Sequence, residues 1–133
     1  MMLKVQPDKQ KATALVEMAK TTLERLNKLD KEKYPTNTLS DYYDIIRKIM
    51  EALTSLEGTK IKGEGAHKEL IDYTCRKYGL GEAIRQFLQE LRDYRNRISY
   101  EGFVIKPSYI ENNSEKLEEI ITKLKNMFKE KMT

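Results

Sequence analysis

Three prolines and six glycines are the only strong breakers in 133 residues, and between them apolar side chains recur at three- and four-residue spacing. That is the period of a helix buried on one face, and sustained strand-like alternation is missing. The pattern predicts an all-α chain. Ala12, Leu15, Val16, Ala19, Leu23, Leu26 and Leu29 stripe a first helix behind Asp8, an N-cap residue type, with Pro35 closing the stretch. Leu39, Tyr42, Tyr43, Ile46, Ile49, Met50, Leu53 and Leu56 stripe a second, with Thr38 or Ser40 as cap and Gly58 as stop. GTKIKGEG, residues 58–65, holds three of the six glycines and reads as a mobile loop.

A short third helix carries His67, Leu70, Ile71, Thr74 and Tyr78 on one face, and Gly79 and Gly81 end it. The fourth runs through Ile84, Phe87, Leu88, Leu91 and Ile98 to about Tyr100 and stops at Gly102. FVIKPSYI is β-prone but interrupted by Pro107, so it is expected to cross over in an extended form. Ser108 with Glu111, or Asn112 with Glu115, supplies a capping box for a final helix striped by Leu117, Ile120, Ile121, Leu124 and Phe128. The expected architecture is a single domain, residues 1–133, of about five antiparallel helices in an up-and-down bundle.

Composition narrows the chemistry. Charged residues are 35% and hydrophobic ones 39% of the chain, too apolar for disorder and too polar for a membrane protein. No apolar run approaches the roughly 20 residues of a membrane span, and the first residues lack an export signal. One Cys and one His can build neither a disulfide nor a Cys/His zinc tetrad. The expectation is a cytoplasmic protein without metal or cofactor. The net charge of +4 is spread through mixed runs such as KLDKEK, so charge alone argues weakly for nucleic acid.

Local chemistry argues better. At about 100° per residue, Arg95 falls at the centre of the stripe defined by Ile84, Leu88, Leu91 and Ile98. A guanidinium there must meet a carboxylate, a partner chain, a solvent-filled groove or an anion, or else snorkel out along its stem. Around it, RDYRNRISYEGF interleaves Arg92, Arg95 and Arg97 with Tyr94, Asn96, Ser99, Tyr100 and Phe103. Guanidiniums bind phosphate bidentately, Asn and Tyr add donors, and aromatic rings stack on bases.

The helix end RNRISYEG, preceded by LQELRDY and by the helix SDYYDIIRKIMEAL, resembles the HEPN domain family, named for higher eukaryotes and prokaryotes nucleotide-binding, and in particular its small archaeal and bacterial members. The resemblance spans Ser40 to about Phe103. The family signature is an Arg, commonly followed by Asn, then a His after four to six residues. Arg95 and Asn96 fall on its first two positions, and Tyr100 stands at the His position.

In active members the resemblance implies a metal-independent endoribonuclease, in which two protomers face both motifs into one groove and cut RNA through its own 2′-hydroxyl. A His titrating near neutral pH can take that proton and return one to the leaving oxygen. A phenol, near ~10 in peptides, is a poor base at pH 7 but remains a donor. The resemblance therefore implies binding by Arg92, Arg95, Asn96, Arg97 and Tyr100 more than cleavage by Arg95 and Tyr100. In other HEPN proteins the partner is a minimal nucleotidyltransferase encoded alongside, in a toxin-antitoxin type pair, and a Tyr near the motif accepts AMP. That acceptor's place here is Gly102, leaving Tyr100 to serve.

Three functions follow: an RNA- or nucleotide-binding homodimer partnering a nucleotidyltransferase; an endoribonuclease using Arg95 with Tyr100 or His67; and a structural dimer in which Arg95 only pairs with Asp72 or Asp44. The dimer is expected to use the fourth helix, because the stripe around Arg95 is too apolar for solvent. His67 reads foremost as a satisfied core or rim histidine, and Cys75 as a buried small residue. The tyrosines of Tyr42, Tyr43 and Asp44, which match the polar-aromatic helix start of HEPN proteins, are equally explained by packing. The lysines of GTKIKGEG lack Walker spacing, and the sequon at Asn112 matters only in a secreted protein.

Overall fold

Five helices and a two-stranded ribbon succeed one another in a computed structural model that describes residues 1–133. The order is β1 (Met2–Lys4), α1 (Lys9–Asn27), α2 (Pro35–Glu57), β2 (Thr59–Ile61), α3 (Ala66–Lys77), α4 (Glu82–Glu101) and α5 (Pro107–Met132). The chain is an all-α helical bundle with one small ribbon, and no helix is long and apolar enough to cross a membrane.

α2 is the central element and packs on all four other helices. Its sequence stripe was too narrow a guide to this. Besides the expected face, Ile45 and Ala52 are also buried, at 1% and 0% exposure, because neighbours cover the helix on several sides. Each large apolar side chain removed from water there stabilises by about 1.5–3 kcal/mol. Leu88 and Leu91 of α4, Ile71 of α3, and Leu117, Ile121 and Leu124 of α5 complete the same core.

Both non-terminal prolines start helices. Pro35 opens α2 behind Tyr34, and Pro107 opens α5 behind Lys106. Proline lacks only an N–H that is unpaired in a first turn anyway, and its φ is preset for the helix. The expected caps at Thr38 and Ser40 therefore lie inside α2. Thr38 is buried and its hydroxyl donates to the Lys31 carbonyl at 2.8 Å, tying down the α1–α2 connection. The expected capping boxes of the last helix likewise lie inside α5, and the extended crossover shortens to residues 102–106. It is anchored by buried Ile105, whose amide donates to Thr36 Oγ1 at 2.9 Å.

Part of the expected mobile loop is paired. Thr59–Ile61 runs antiparallel to Met2–Lys4, with Met2 opposite Ile61 and Lys4 opposite Thr59. Gly58 ends α2 with φ 78°, where a Cβ would lie 2.6 Å from the Val5 carbonyl oxygen. Asp8 caps α1 as expected, accepting from the Lys11 amide at 2.9 Å.

Glu57 closes α2 by receiving the hydroxyls of Tyr73 and Tyr78, with Thr59 Oγ1 at 3.2 Å and Lys77 Nζ at 3.9 Å. Burial, then the hydrogen bond and charge of Glu57, push the Tyr78 phenol well above its usual value. Burial likewise raises Tyr42 and Tyr109, and takes Tyr43 to about 12 against the pull of Arg47 and Arg92. These folded values exceed the ~10 of an unfolded phenol, so the tyrosine contribution to stability is intact below about pH 10 and is lost as pH rises through the folded values. Unfolding should therefore begin above about pH 10 and coincide with phenolate absorbance from these four tyrosines, as distinct from exposed Tyr34 and Tyr100. Ionisation of the four in a chain that keeps its circular dichroism would contradict this.

Candidate nucleic-acid interface on α4

α4 meets the bundle through Phe87, Leu88 and Leu91. One turn beyond Leu91, Arg95 turns onto α2. Its Nε lies 3.7 Å from Asp44 Oδ1, and its terminal nitrogen donates to the Ser99 hydroxyl one turn along. The two charged side chains are 30% and 31% exposed, so the pair is neither sealed in the core nor free in water. Asp44, one of the two expected counter-charges, is the partner. Asp72 is instead engaged by Arg85 at 2.9 Å and Gln89 at 3.0 Å. Against burial, which raises it, those hydrogen bonds hold the Asp72 carboxyl below its usual value.

Arg95 borders a cleft of about 610 Å³ that also takes in Arg25, Leu29, Tyr34, Asp41 and Asp44. Arg25 Nη2 stands 3.1 Å from Asp41 Oδ1. Two arginines thus face two aspartates across α1, α2 and α4. A guanidinium carries five N–H donors. The Nε of Arg95 is buried and has no hydrogen-bond partner, so its donor capacity is only partly used inside the chain.

The remaining α4 residues separate by face. Arg92 lies about 60° from Arg95 on the helix, half-buried, with its Nε donating to Gln89 Oε1 at 2.8 Å. Gln89 in turn donates to the Lys68 carbonyl at 2.9 Å, which links Arg92 to the first turn of α3. Asn96 is half-buried beside them. Arg97 is about 200° from Arg95. It lies 4.1 Å over the Phe103 ring and 3.6 Å from Glu101, next to the stack of Tyr94 on Phe103. Tyr100 is 87% exposed in the last turn. By rotation Arg92, Arg95 and Asn96 share one side of α4, but only Arg95 lines the cleft; Arg97 lies on the aromatic side, and Tyr100 stands in solvent.

His67 is not a core histidine. It sits exposed in the first turn of α3. Partial burial of its ring, then the Arg47 guanidinium, hold it below its ordinary value, with Arg92 acting in the same sense and Glu51 and Asp44 opposing. Cys75 is buried, and burial pushes its thiol up to about 11, the reverse of what a nucleophile needs. Tyr43 is sealed at 3% exposure and its hydroxyl has no partner.

Apart from Asp44, the polar stripe of α2 does not emerge from the apolar pattern of the sequence. Asn37, Asp41, Asp44, Arg47, Glu51 and Ser55 recur at three- and four-residue spacing on the most apolar helix, and that recurrence was the available signal. Comparison of the chain with protein-family models, with curated proteins and with solved structures returned no match.

Proposed function

We propose that this chain is a HEPN-like module that binds RNA or nucleotide through Arg95, with Arg92, Asn96 and Tyr100 contributing and Arg97 acting from the other face. It works as a cytoplasmic homodimer beside a minimal nucleotidyltransferase, in a toxin-antitoxin type pair, and does not itself cleave RNA at a useful rate. The observation that carries the reading is the half-buried Arg95 at an open cleft, its Nε unpartnered. A purely structural arginine would be expected to close on Asp44 with short, paired hydrogen bonds; the 3.7 Å contact is looser than that.

The reason for a dimer changes. Leu88 and Leu91 are fully covered by the chain itself, so the apolar stripe creates no demand for a second copy. Exposed Tyr100 and Val104, at 87% and 72%, supply the apolar surface at the motif end of α4 on which a second copy would pair. Binding through phosphates releases counterions, so affinity for a single-stranded RNA should fall linearly in log–log form with salt, by about 0.7 per phosphate neutralised. Fluorescence anisotropy across a salt series reads this. No binding at low salt, or binding indifferent to salt, would sink the reading.

A further inference from the structure

A second cavity, of about 470 Å³, opens where the β1–β2 ribbon, the start of α1, the C-terminal half of α2 and the first turn of α3 meet. It shares no lining residue with the Arg95 cleft. Lys11, Arg47 and Lys60 line it against two carboxylates, Asp8 and Glu51, with His67 as a further protonatable group. The carboxylates are already engaged. Asp8 caps α1, and Glu51 receives the Arg47 guanidinium one turn away.

Apart from Arg47, the protonatable groups are uncommitted. The ion pairs of this region, Arg47 with Glu51 and the N-terminal amine with Glu69, leave Lys11, Lys60 and His67 out. Ala66 and His67 line the cavity from the first turn of α3, which starts behind Gly65 without a side-chain cap, and a helix start carries partial positive charge. Val5, Ile61 and Leu70 add apolar lining. The volume falls within the roughly 300–1,000 Å³ of small-molecule sites.

We infer that this cavity binds a small phosphate monoester, with Arg47, Lys11, Lys60 and His67 on the phosphoryl oxygens and the apolar lining against its carbon skeleton. A phosphate dianion offers three terminal acceptors and matches both the fork of an arginine and the point charges of lysines. Size and apolar lining select an organic monoester of sugar-phosphate dimensions over the bare ion. This site stands independently of the RNA-binding reading.

His67 is the only histidine, so its imidazole signal in proton NMR is a single, assigned reporter. The charged groups around it are Asp44, Arg47 and Glu51 of α2, Arg92 of α4, Lys60 of β2, and Lys11 with Asp8 at the start of α1. A dianion held among them favours the imidazolium. Titrating the full chain with inorganic phosphate, ribose 5-phosphate and ribose should therefore raise the His67 midpoint by about one pH unit for the two phosphates. Ribose 5-phosphate should saturate at the lower concentration and ribose should do nothing. Lys60→Glu, at an exposed position that keeps the fold, should abolish the rise, and Arg95→Ala should preserve it. An unchanged midpoint with both phosphates, an equal response to ribose, a rise that survives Lys60→Glu, or its loss in Arg95→Ala would each overturn the assignment.

Discussion

Leu53→Ala should lower the free energy of unfolding by about 2–5 kcal/mol, a third or more of the total for many domains of this size. Leu53 is fully buried on the one helix that packs against all the others. The removed methyl groups leave a cavity walled by several elements, which cannot all move inward together. Leu29→Ala is the matched control, since Leu29 is 48% exposed and its loss should stay within about 0.5 kcal/mol. Urea unfolding with an unchanged m-value reads both. Equal effects at the two positions would mean that α2 is not the core element described above.

In the proposed HEPN-like dimer, whose groove would take in the exposed Tyr100, Tyr100→His should create ribonuclease activity, by about 10²–10⁴-fold over the unmodified chain, the usual contribution of a positioned general base. The substitution puts a group that titrates near neutral pH at the position that the proposed reading gives to the motif histidine. At 87% exposure the site accepts an imidazole without repacking, so a failed gain cannot be assigned to misfolding. Cleavage should vanish again when Arg95→Ala is added. Strong cleavage by the unmodified chain that persists in Tyr100→Phe would show that other residues do the chemistry; no gain on Tyr100→His would remove the HEPN-like groove from the account.

Helix number and stripes were legible because the breakers are few and the apolar period is regular. What was not legible depended on contacts distant in sequence. Pro35 reads as a terminator when only the preceding helix is considered, yet the same fixed φ starts α2. Met2–Lys4 and Thr59–Ile61 are each too short to announce a strand, and they pair across 55 residues or more. On the site, the wheel correctly placed Arg95 against the apolar side of α4, and Asp44 was among its expected counter-charges. That Arg97 and Tyr100 leave that face follows from the same rotation of about 100° per residue and was readable. The approach of His67 to Arg47 and Arg92 was not, because it depends on where the first turn of α3 docks.

The most direct test of the central claim compares RNA binding by Arg95→Ala and Arg97→Ala in low salt, with folding of each variant checked by thermal melting. The two substitutions remove the same charge two residues apart, so the net-charge effect cancels between them. With Arg95 on the cleft and Arg97 held over Phe103, Arg95→Ala should weaken binding by about 1–3 kcal/mol and Arg97→Ala by distinctly less. Equal losses would reduce the interaction to non-specific charge, and full-strength binding by Arg95→Ala would contradict the proposed function outright.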